Sequence, residues 1–246
     1  MQNQNLIVKY DNSFNKTSLS LLTKVQSNVL MSVLQRMGKE FEKDKHGNDC
    51  YVAKYTFEEI RLMTNSKSLQ TKKIKEIFDQ LLDTKVEIFE DSRYTKANLF
   101  SHYTLTDRST AKITLSSALT NKLITDEEKY TILSLDEYVS LPNNYSKEMY
   151  RLLRQFRHSG IIYIKKEDLR RALKPPKSYL EYDFIRRIIE PAIENNKEYF
   201  DNLKIYLKNK SKLPNVIKIT FEPHKKKKIN KAEMNDDLIK YLEENV

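Results

Sequence analysis

One order of predicted elements occurs twice along the chain, and this repetition limits the fold more than any other feature. In the first half, the elements are a helix over about 17–41, a strand in "CYVAKYTF", a short helix in "EEIRLM", a long helix over 69–83 and alternating strands. In the second half, they are a helix in "SKEMYRLLRQF", the strand "GIIYI", the short helix "KKEDLRRAL", the helix "EYDFIRRIIEPAI" and a hairpin of "NLKIYLKN" with "NVIKITFE". This is the order of a winged helix, in which the second helix of a helix-turn-helix enters the major groove. The sequence therefore predicts an α+β protein with two tandem winged-helix domains related by internal duplication.

Apolar side chains at helical spacing define the predicted core of each half. In the first half they are Leu30, Val33, Leu34 and Met37 on one helix, and Ile74, Ile77, Phe78, Leu81 and Leu82 on the other. In "SKEMYRLLRQF", the inward set is Met149, Leu152, Leu153 and Phe156, and the outward set is Arg151, Arg154 and Arg157. These patterns predict surface positions for all three arginines.

The repeated order of elements predicts that the chain has three parts. We expect a first domain over 1–140, a second domain over 141–223, and a basic stretch with a short helix over 224–246. The segment "SSALTNKLITDEEKYTILSLDEYVSLPNN" is interpreted as a long linker between the two domains.

Charge and composition narrow the class of partner. The net charge of +10 and the pI of about 9.3 favour a polyanion, either nucleic acid or an anionic membrane surface. Only three glycines are present, so the chain cannot form the glycine-rich loops that bind nucleotide phosphates. This argues against nucleotide hydrolysis. Cys50 has no second cysteine for a disulfide, and no signal peptide or apolar run of about 20 residues is evident. We expect a cytoplasmic protein without a cofactor.

The histidines argue against an enzyme. A rolling-circle replication nuclease needs two histidines around one apolar residue to hold a metal, with a nucleophilic tyrosine nearby. The four histidines are isolated from one another: His46, His102, His158 and His224. The acidic run Asp126-Glu127-Glu128 is interpreted as part of a solvated loop, so we predict neither a catalytic residue nor a metal site.

The helix in "EYDFIRRIIEPAI" is the candidate reader of DNA sequence. Ile185, Ile188, Ile189 and Ala192 form its apolar face, and the adjacent Arg186 and Arg187 lie away from it. Each arginine has two interpretations: a guanidinium fork on guanine O6 and N7, or a surface ion pair, Arg187 with Asp183 and Arg186 with Glu190. Pro191 is expected to bend or end the helix.

Other basic residues predict contacts to phosphates. At the entrance of this helix they are Lys177, Ser178 and Tyr179; on the hairpin they are Lys204, Lys208, Lys210 and Lys212; and in the first domain they are Lys72, Lys73 and Lys75. An ordinary solvated hairpin is the alternative for the second group. A protein-binding surface is the alternative for the third, because acidic side chains share that helix. The run "HKKKK" is either a further phosphate contact or a solubilising linker.

The second half resembles a known family. "NYSKEMYRLLRQF", "IYIKKEDLRRALKPPKSYLEYDFIRRIIEPAIENN" and "VIKITFE" are similar to the initiator Rep proteins of iteron-bearing plasmids. The residues that carry the similarity are Ser146, Tyr150, Leu152, Leu153, Leu169, Tyr179, Tyr182 or Phe184, Pro191, Ala192 and Ile193. The resemblance is strongest over about 130–222 and looser from Leu6 to Leu115.

This resemblance implies a function and a set of partners. It implies two winged-helix domains, binding to repeated origin sites (iterons) in double-stranded DNA, and the start of theta-type plasmid replication in a bacterium. It also implies homodimers that repress the protein's own promoter, monomers that act at the origin, and host initiator and helicase-loading proteins as partners. We expect the second domain to read sequence, and the first to add backbone contacts and the dimer surface.

Rival interpretations are a tandem winged-helix transcriptional regulator or chromosome-organising protein without a replication role, then a nuclease, then a membrane-surface protein.

Overall fold

The computed structural model of the chain describes residues 6–19, 22–37, 40–43, 46–47, 49–63, 69–90, 93–106, 109–119, 130–207 and 212–223. Five sequence predictions therefore lie outside the described residues: the solvated loop at Asp126-Glu127-Glu128, Lys208, Lys210, the "HKKKK" run and the short C-terminal helix. Within the described residues, no helix is both long enough and apolar enough to cross a membrane.

Among its described residues, the first half has three α-helices and a set of antiparallel strands. Its helices are α1 (Lys24–Arg36), α2 (Phe57–Met63) and α3 (Thr71–Leu82). Its strands are β1 (Ile7–Asp11), β2 (Glu40–Lys43), β3 (Asp49–Thr56), β4 (Lys85–Glu90), β5 (Arg93–Asn98), β6 (Phe100–Thr106) and β7 (Thr110–Leu115). Antiparallel pairing gives a four-stranded sheet in the order β2-β3-β7-β6 and a separate β4-β5 pair. The predicted core residues of α1 and α3 are buried except Leu82, which is half-buried.

Helix α1 begins later than the sequence pattern predicted. Thr23 caps it at Lys24, because the Thr23 hydroxyl accepts from the Gln26 amide while the Gln26 side chain accepts from the Thr23 amide. Asn12–Lys16 form a separate short 3-10 helix. Apolar residues at helical spacing also occur before Thr23 in the sequence, so the pattern predicted an earlier start. The capping box puts the first helical residue at Lys24.

Part of the predicted linker belongs to the folded core. Strand β8 (Tyr130–Ser134) pairs antiparallel with β1, and α4 (Leu135–Ser140) follows it at once. Leu133, Leu135 and Tyr138 are buried in these elements. The interpretation of 130–140 as linker was therefore wrong, because its alternating apolar residues find a partner strand more than a hundred residues earlier.

The second half has the predicted winged-helix order. Its elements are α5 (Asn144–Gln155), β9 (Ile161–Lys165), α6 (Lys166–Leu173), the long helix α7 (181–196), β10 (Lys204–Tyr206) and β11 (Val216–Thr220). The sheet order is β10-β11-β9. Gly160 precedes β9 with a φ of +64°, and a Cβ there would lie 2.5 Å from the Phe221 carbonyl oxygen, so the strands meet closely at this point.

Helix α5 is buried on two sides, which overturns the predicted surface positions of its arginines. Arg151 is 1% exposed, and Arg157 is also buried. The Arg151 guanidinium pairs with Glu148 at 3.0 Å and donates to the carbonyls of Phe14, at 2.7 Å, and Thr17, at 3.2 Å. Arg154 is ion-paired with Glu137 and largely covered. The segment after β1 covers the face of α5 that a single amphipathic helix would leave in water.

Several residues that carry the family resemblance, between Ser146 and Ile193, lie where α5 and α7 contact each other. Ser146, Tyr150 and Leu153 are buried on α5, and Ala192 and Ile193 are buried on α7. Two asparagines that follow on α7 bind Ser146: Asn195 donates to its hydroxyl at 2.9 Å, and Asn196 donates to its carbonyl at 3.0 Å. Buried apolar side chains of both halves form one hydrophobic cluster. A boundary at 140/141 and an origin by internal duplication stay predictions.

Candidate nucleic-acid interface

Helix α7 passes through Pro191 without ending. It consists of Glu181–Phe184 in α-helical form, Ile185–Ile189 as a π-turn and Glu190–Asn196 in α-helical form. The Glu190 amide donates to the Ile185 carbonyl, five residues earlier, and this wide turn directly precedes the residue that lacks an N–H. The prediction that Pro191 bends or ends the helix is wrong about the end, because the helix continues to Asn196.

Two tyrosines hold the two exposed arginines of α7. Arg186 donates from Nη1 to the Tyr182 hydroxyl at 3.0 Å, and its guanidinium carbon lies 5.6 Å from the centre of that ring. The guanidinium carbon of Arg187 lies 5.4 Å from the centre of the Tyr179 ring. Stacking on a ring restricts a guanidinium without neutralising it. Both cationic groups thus have a defined position on the exposed side of α7.

One of the two predicted ion pairs is present in the structure. Arg187 Nε lies 3.1 Å from Asp183 Oδ1, and the Arg187 side chain remains 64% exposed. A hydrogen bond to Tyr179, and then the charge of Asp183, raise the pKa of Arg187, so it stays cationic. The other predicted ion pair is not formed by the described side chains, since Arg186 binds Tyr182 instead of Glu190. An exposed ion pair contributes only about 0–1 kcal/mol, so it leaves Arg187 available to another anion or acceptor.

The entrance to α7 is ordered by Arg170 of α6. Arg170 donates to the Tyr179 carbonyl at 2.5 Å, and its guanidinium carbon lies 4.9 Å from the centre of the Phe184 ring. Lys177 and Ser178 are exposed in this turn, as a contact to phosphate requires. Tyr179 is half-buried, and its phenol group contacts Arg187. Its predicted contact with phosphate stays a prediction.

The hairpin is joined to the start of α7 through Glu181. The Leu213 amide donates to Glu181 Oε1 at 2.9 Å, and Lys166 Nζ lies 3.5 Å from the same oxygen. The exposed Lys212 therefore stands next to the helix entrance. Lys204 is exposed too, but it begins β10 and lies at the end of the hairpin away from the tip.

The predicted basic residues of the first domain lie on α3. Lys72, Lys73 and Lys75 are exposed, and Lys73 is ion-paired with Glu76 at 2.8 Å. Asp79, further along the same helix, accepts from Tyr103 at 2.5 Å. The mixed charge of this surface leaves both of its interpretations, DNA contact and protein contact, as predictions.

Sequence reasoning missed two parts of this interface. The sequence predicts Tyr182 only as a part of the family-like pattern, whereas in the structure its hydroxyl accepts a hydrogen bond from Arg186. Leu180, which precedes the first residue of α7, is 75% exposed, and no pattern in the sequence predicts this exposure. The signal for Tyr182 was its spacing of four residues from Arg186, which puts both on one side of a helix. No group of three or more metal-ligating side chains occurs within the described part of the chain.

A family model described as initiator replication protein, WH1, matches residues 7–154, which is more than half of the chain. A curated relative, "Probable replication protein rep" of Bifidobacterium longum (strain NCC 2705), is 27% identical over 202 residues. That match covers 77% of this chain, and this chain spans 64% of the length of the relative.

A solved structure has a similar fold. It is described as the crystal structure of Pi initiator protein in complex with iteron DNA, and it matches with a TM-score of 0.69 and 18% identity. The match covers 91% of this chain and 100% of the solved chain. This likeness extends the winged-helix assignment over both halves of the molecule.

Proposed function

Because the chain belongs to the initiator replication protein family, we propose that it binds repeated origin sites in double-stranded plasmid DNA and starts theta replication. The observation that supports this proposal most is the pair of tyrosine-held arginines on the exposed side of α7. A protein that only needed charge for solubility would have no use for guanidinium groups held in position. The proposal assigns no catalytic step and no cofactor to this chain.

The proposed contacts divide into two kinds. Helix α7 would lie in the major groove, where Arg186 and Arg187 present donors to guanine O6 and N7. Lys177, Ser178 and Lys212 would contact phosphates around the helix entrance, which fixes the position of α7 without reading sequence. The hydrogen bond between Glu181 and Leu213 would keep the hairpin and the helix in one orientation on the duplex.

The proposed partners follow from the same family. A homodimer would repress the protein's own promoter, and a monomer would act at the origin together with the host initiator and the replicative helicase or its loader. The bacterial cytoplasm is the proposed location. The α3 surface, with Lys72, Lys73 and Lys75, is the proposed place of auxiliary contacts in the first domain.

Binding across a salt series tests the DNA contacts. Footprinting of DNA that flanks the coding gene locates the site, and fluorescence anisotropy then compares cognate and scrambled duplexes. We expect Arg186→Ala or Arg187→Ala to weaken binding by about 1–3 kcal/mol, mainly to the cognate duplex. Lys212→Ala should weaken binding to both duplexes and lower the salt slope of log K by roughly one, because one fewer phosphate is neutralised.

Lys197→Ala is the matched control, because Lys197 is an exposed cation beyond the far end of α7, paired with Glu194. It should leave both affinities unchanged. If both arginine variants keep the wild-type ratio of cognate to scrambled affinity, these arginines do not read DNA sequence. A plasmid that carries the footprinted repeats should fail to replicate without the protein. If it replicates equally well, the protein is a repressor and not an initiator.

A further inference from the structure

Leu180 is the most exposed large apolar side chain among the described residues, at 75%. It does not belong to the apolar side chains that form or border the hydrophobic cluster of the described residues. An isolated exposed leucine is ordinary on a protein surface. Leu180, however, lies three residues after Lys177, at the entrance of the helix that carries Arg186 and Arg187.

The backbone of Leu180 is held on both sides. Its carbonyl accepts from the Phe184 amide at 3.0 Å, which begins α7, and the carbonyl of Tyr179 accepts from Arg170. The next residue, Glu181, binds the hairpin through Leu213. Leu180 therefore stands between the two tyrosines that hold the arginines, in a segment whose position relative to α7 and the hairpin is set.

We propose that Leu180 recognises the C5-methyl group of a thymine in the major groove, near the base contacted by Arg186 or Arg187. This inference rests on the proposed function, because it requires α7 to lie in that groove. The N-terminal residues of a recognition helix contact base edges, and the thymine methyl is the apolar group that those edges offer. A leucine in this position discriminates against cytosine and uracil without a hydrogen bond.

The magnitude follows from the burial of one methyl group. Burying a methyl-sized group contributes about 0.8 kcal/mol, which corresponds to about fourfold in affinity. Replacing a single thymine by deoxyuridine removes only that methyl group and leaves every hydrogen-bonding group of the base pair in place. The substitution therefore isolates the contact from the arginine contacts nearby.

The experiment is a deoxyuridine scan of the footprinted site with the full chain. Each thymine is replaced in turn, and Kd is measured for the wild-type protein, Leu180→Ala and the control Leu62→Ala. Leu62 is an exposed leucine of α2, at 60%. We expect one or two positions where deoxyuridine costs the wild-type protein and Leu62→Ala about fourfold, and where it costs Leu180→Ala nothing. With cytosine at such a position, 5-methylcytosine should restore part of the loss.

Two results would overturn this assignment. One is a scan in which no deoxyuridine changes the wild-type affinity; the other is a Leu180→Ala scan with the same profile as the wild type. In either case, a cognate preference that still depends on Arg186 and Arg187 would leave the proposed function standing. A Leu180→Ala variant with wild-type DNA binding and impaired binding to a replication protein would assign the leucine to a protein contact. If the wild-type chain binds no DNA site specifically, both this assignment and the proposed function are wrong.

Discussion

Lys147 of α5 is a buried amine whose titration should be visible in the stability of the protein. It is 0% exposed, donates to Asn28 Oδ1 at 2.7 Å, and also donates to the Tyr138 carbonyl. Burial, with a smaller effect from the charge of Lys24, lowers the pKa of Lys147 to about 7 from its ordinary value of 10.5. A neutral amine has two N–H donors, which is enough for both acceptors.

The sign of the pH dependence follows from this lowered pKa. Between pH 7 and 10.5 the unfolded chain holds the Lys147 proton and the folded chain has lost it, so stability rises with pH in this window. Below pH 7 both states are protonated, and the folded state carries the full cost of a buried ammonium group. Integration over these two pKa values gives a gain of about 2 kcal/mol between pH 7 and pH 9.

Urea denaturation at pH 7, 8 and 9 tests this value with Lys147→Met, which keeps the length of the side chain and removes the titration. The difference in unfolding free energy between wild type and variant should change by about 2 kcal/mol over this range, in favour of the wild type at pH 9. Titrations elsewhere in the chain are common to both proteins and cancel. A difference that stays constant from pH 7 to pH 9 would refute the lowered pKa and the neutral amine.

Three further predictions concern the core and the domain boundary. Arg151→Met should lower the unfolding free energy by about 3–5 kcal/mol in urea titrations, because Glu148 loses its buried partner; adding Glu148→Gln should recover part of the loss, and no recovery would contradict this pairing. Gly160→Ala should lower Tm more than Gly47→Ala does, since both have a positive φ but only the Cβ at position 160 meets backbone; equal losses would contradict the close approach. In anisotropy titrations, the fragment 141–228 should bind the cognate duplex more weakly than the full chain, because Arg151 loses its acceptors in the first domain. Equal affinity would show that these contacts do not support the DNA-binding half.

Local patterns in the sequence were sufficient for much of the second half. The apolar stripe at Ile185, Ile188 and Ile189 predicted a helix with one buried face, and these residues are buried on α7. Two prolines after "KKEDLRRAL" predicted the end of α6, which stops at Leu173. The candidate positions Arg186 and Arg187 could be chosen because a surface helix puts its polar residues away from its apolar stripe, and both are exposed. These features depend on residues within about two helical turns, so one sequence contains them.

Contacts between distant segments decided the rest. Arg151 has the spacing of a surface residue on α5, but Phe14 and Thr17 cover it from more than a hundred residues away. Strand β8 was interpreted as linker because its partner, β1, lies at the other end of the first half. The positions of Tyr179 and Leu180 depend on how the turn before α7 is held by Arg170 and how the hairpin meets Glu181. Periodicity in the sequence shows which face of a helix or strand is apolar. It does not show which segment covers the other face, because that depends on how the whole chain packs. A buried charge is stable only if distant residues supply its hydrogen bonds.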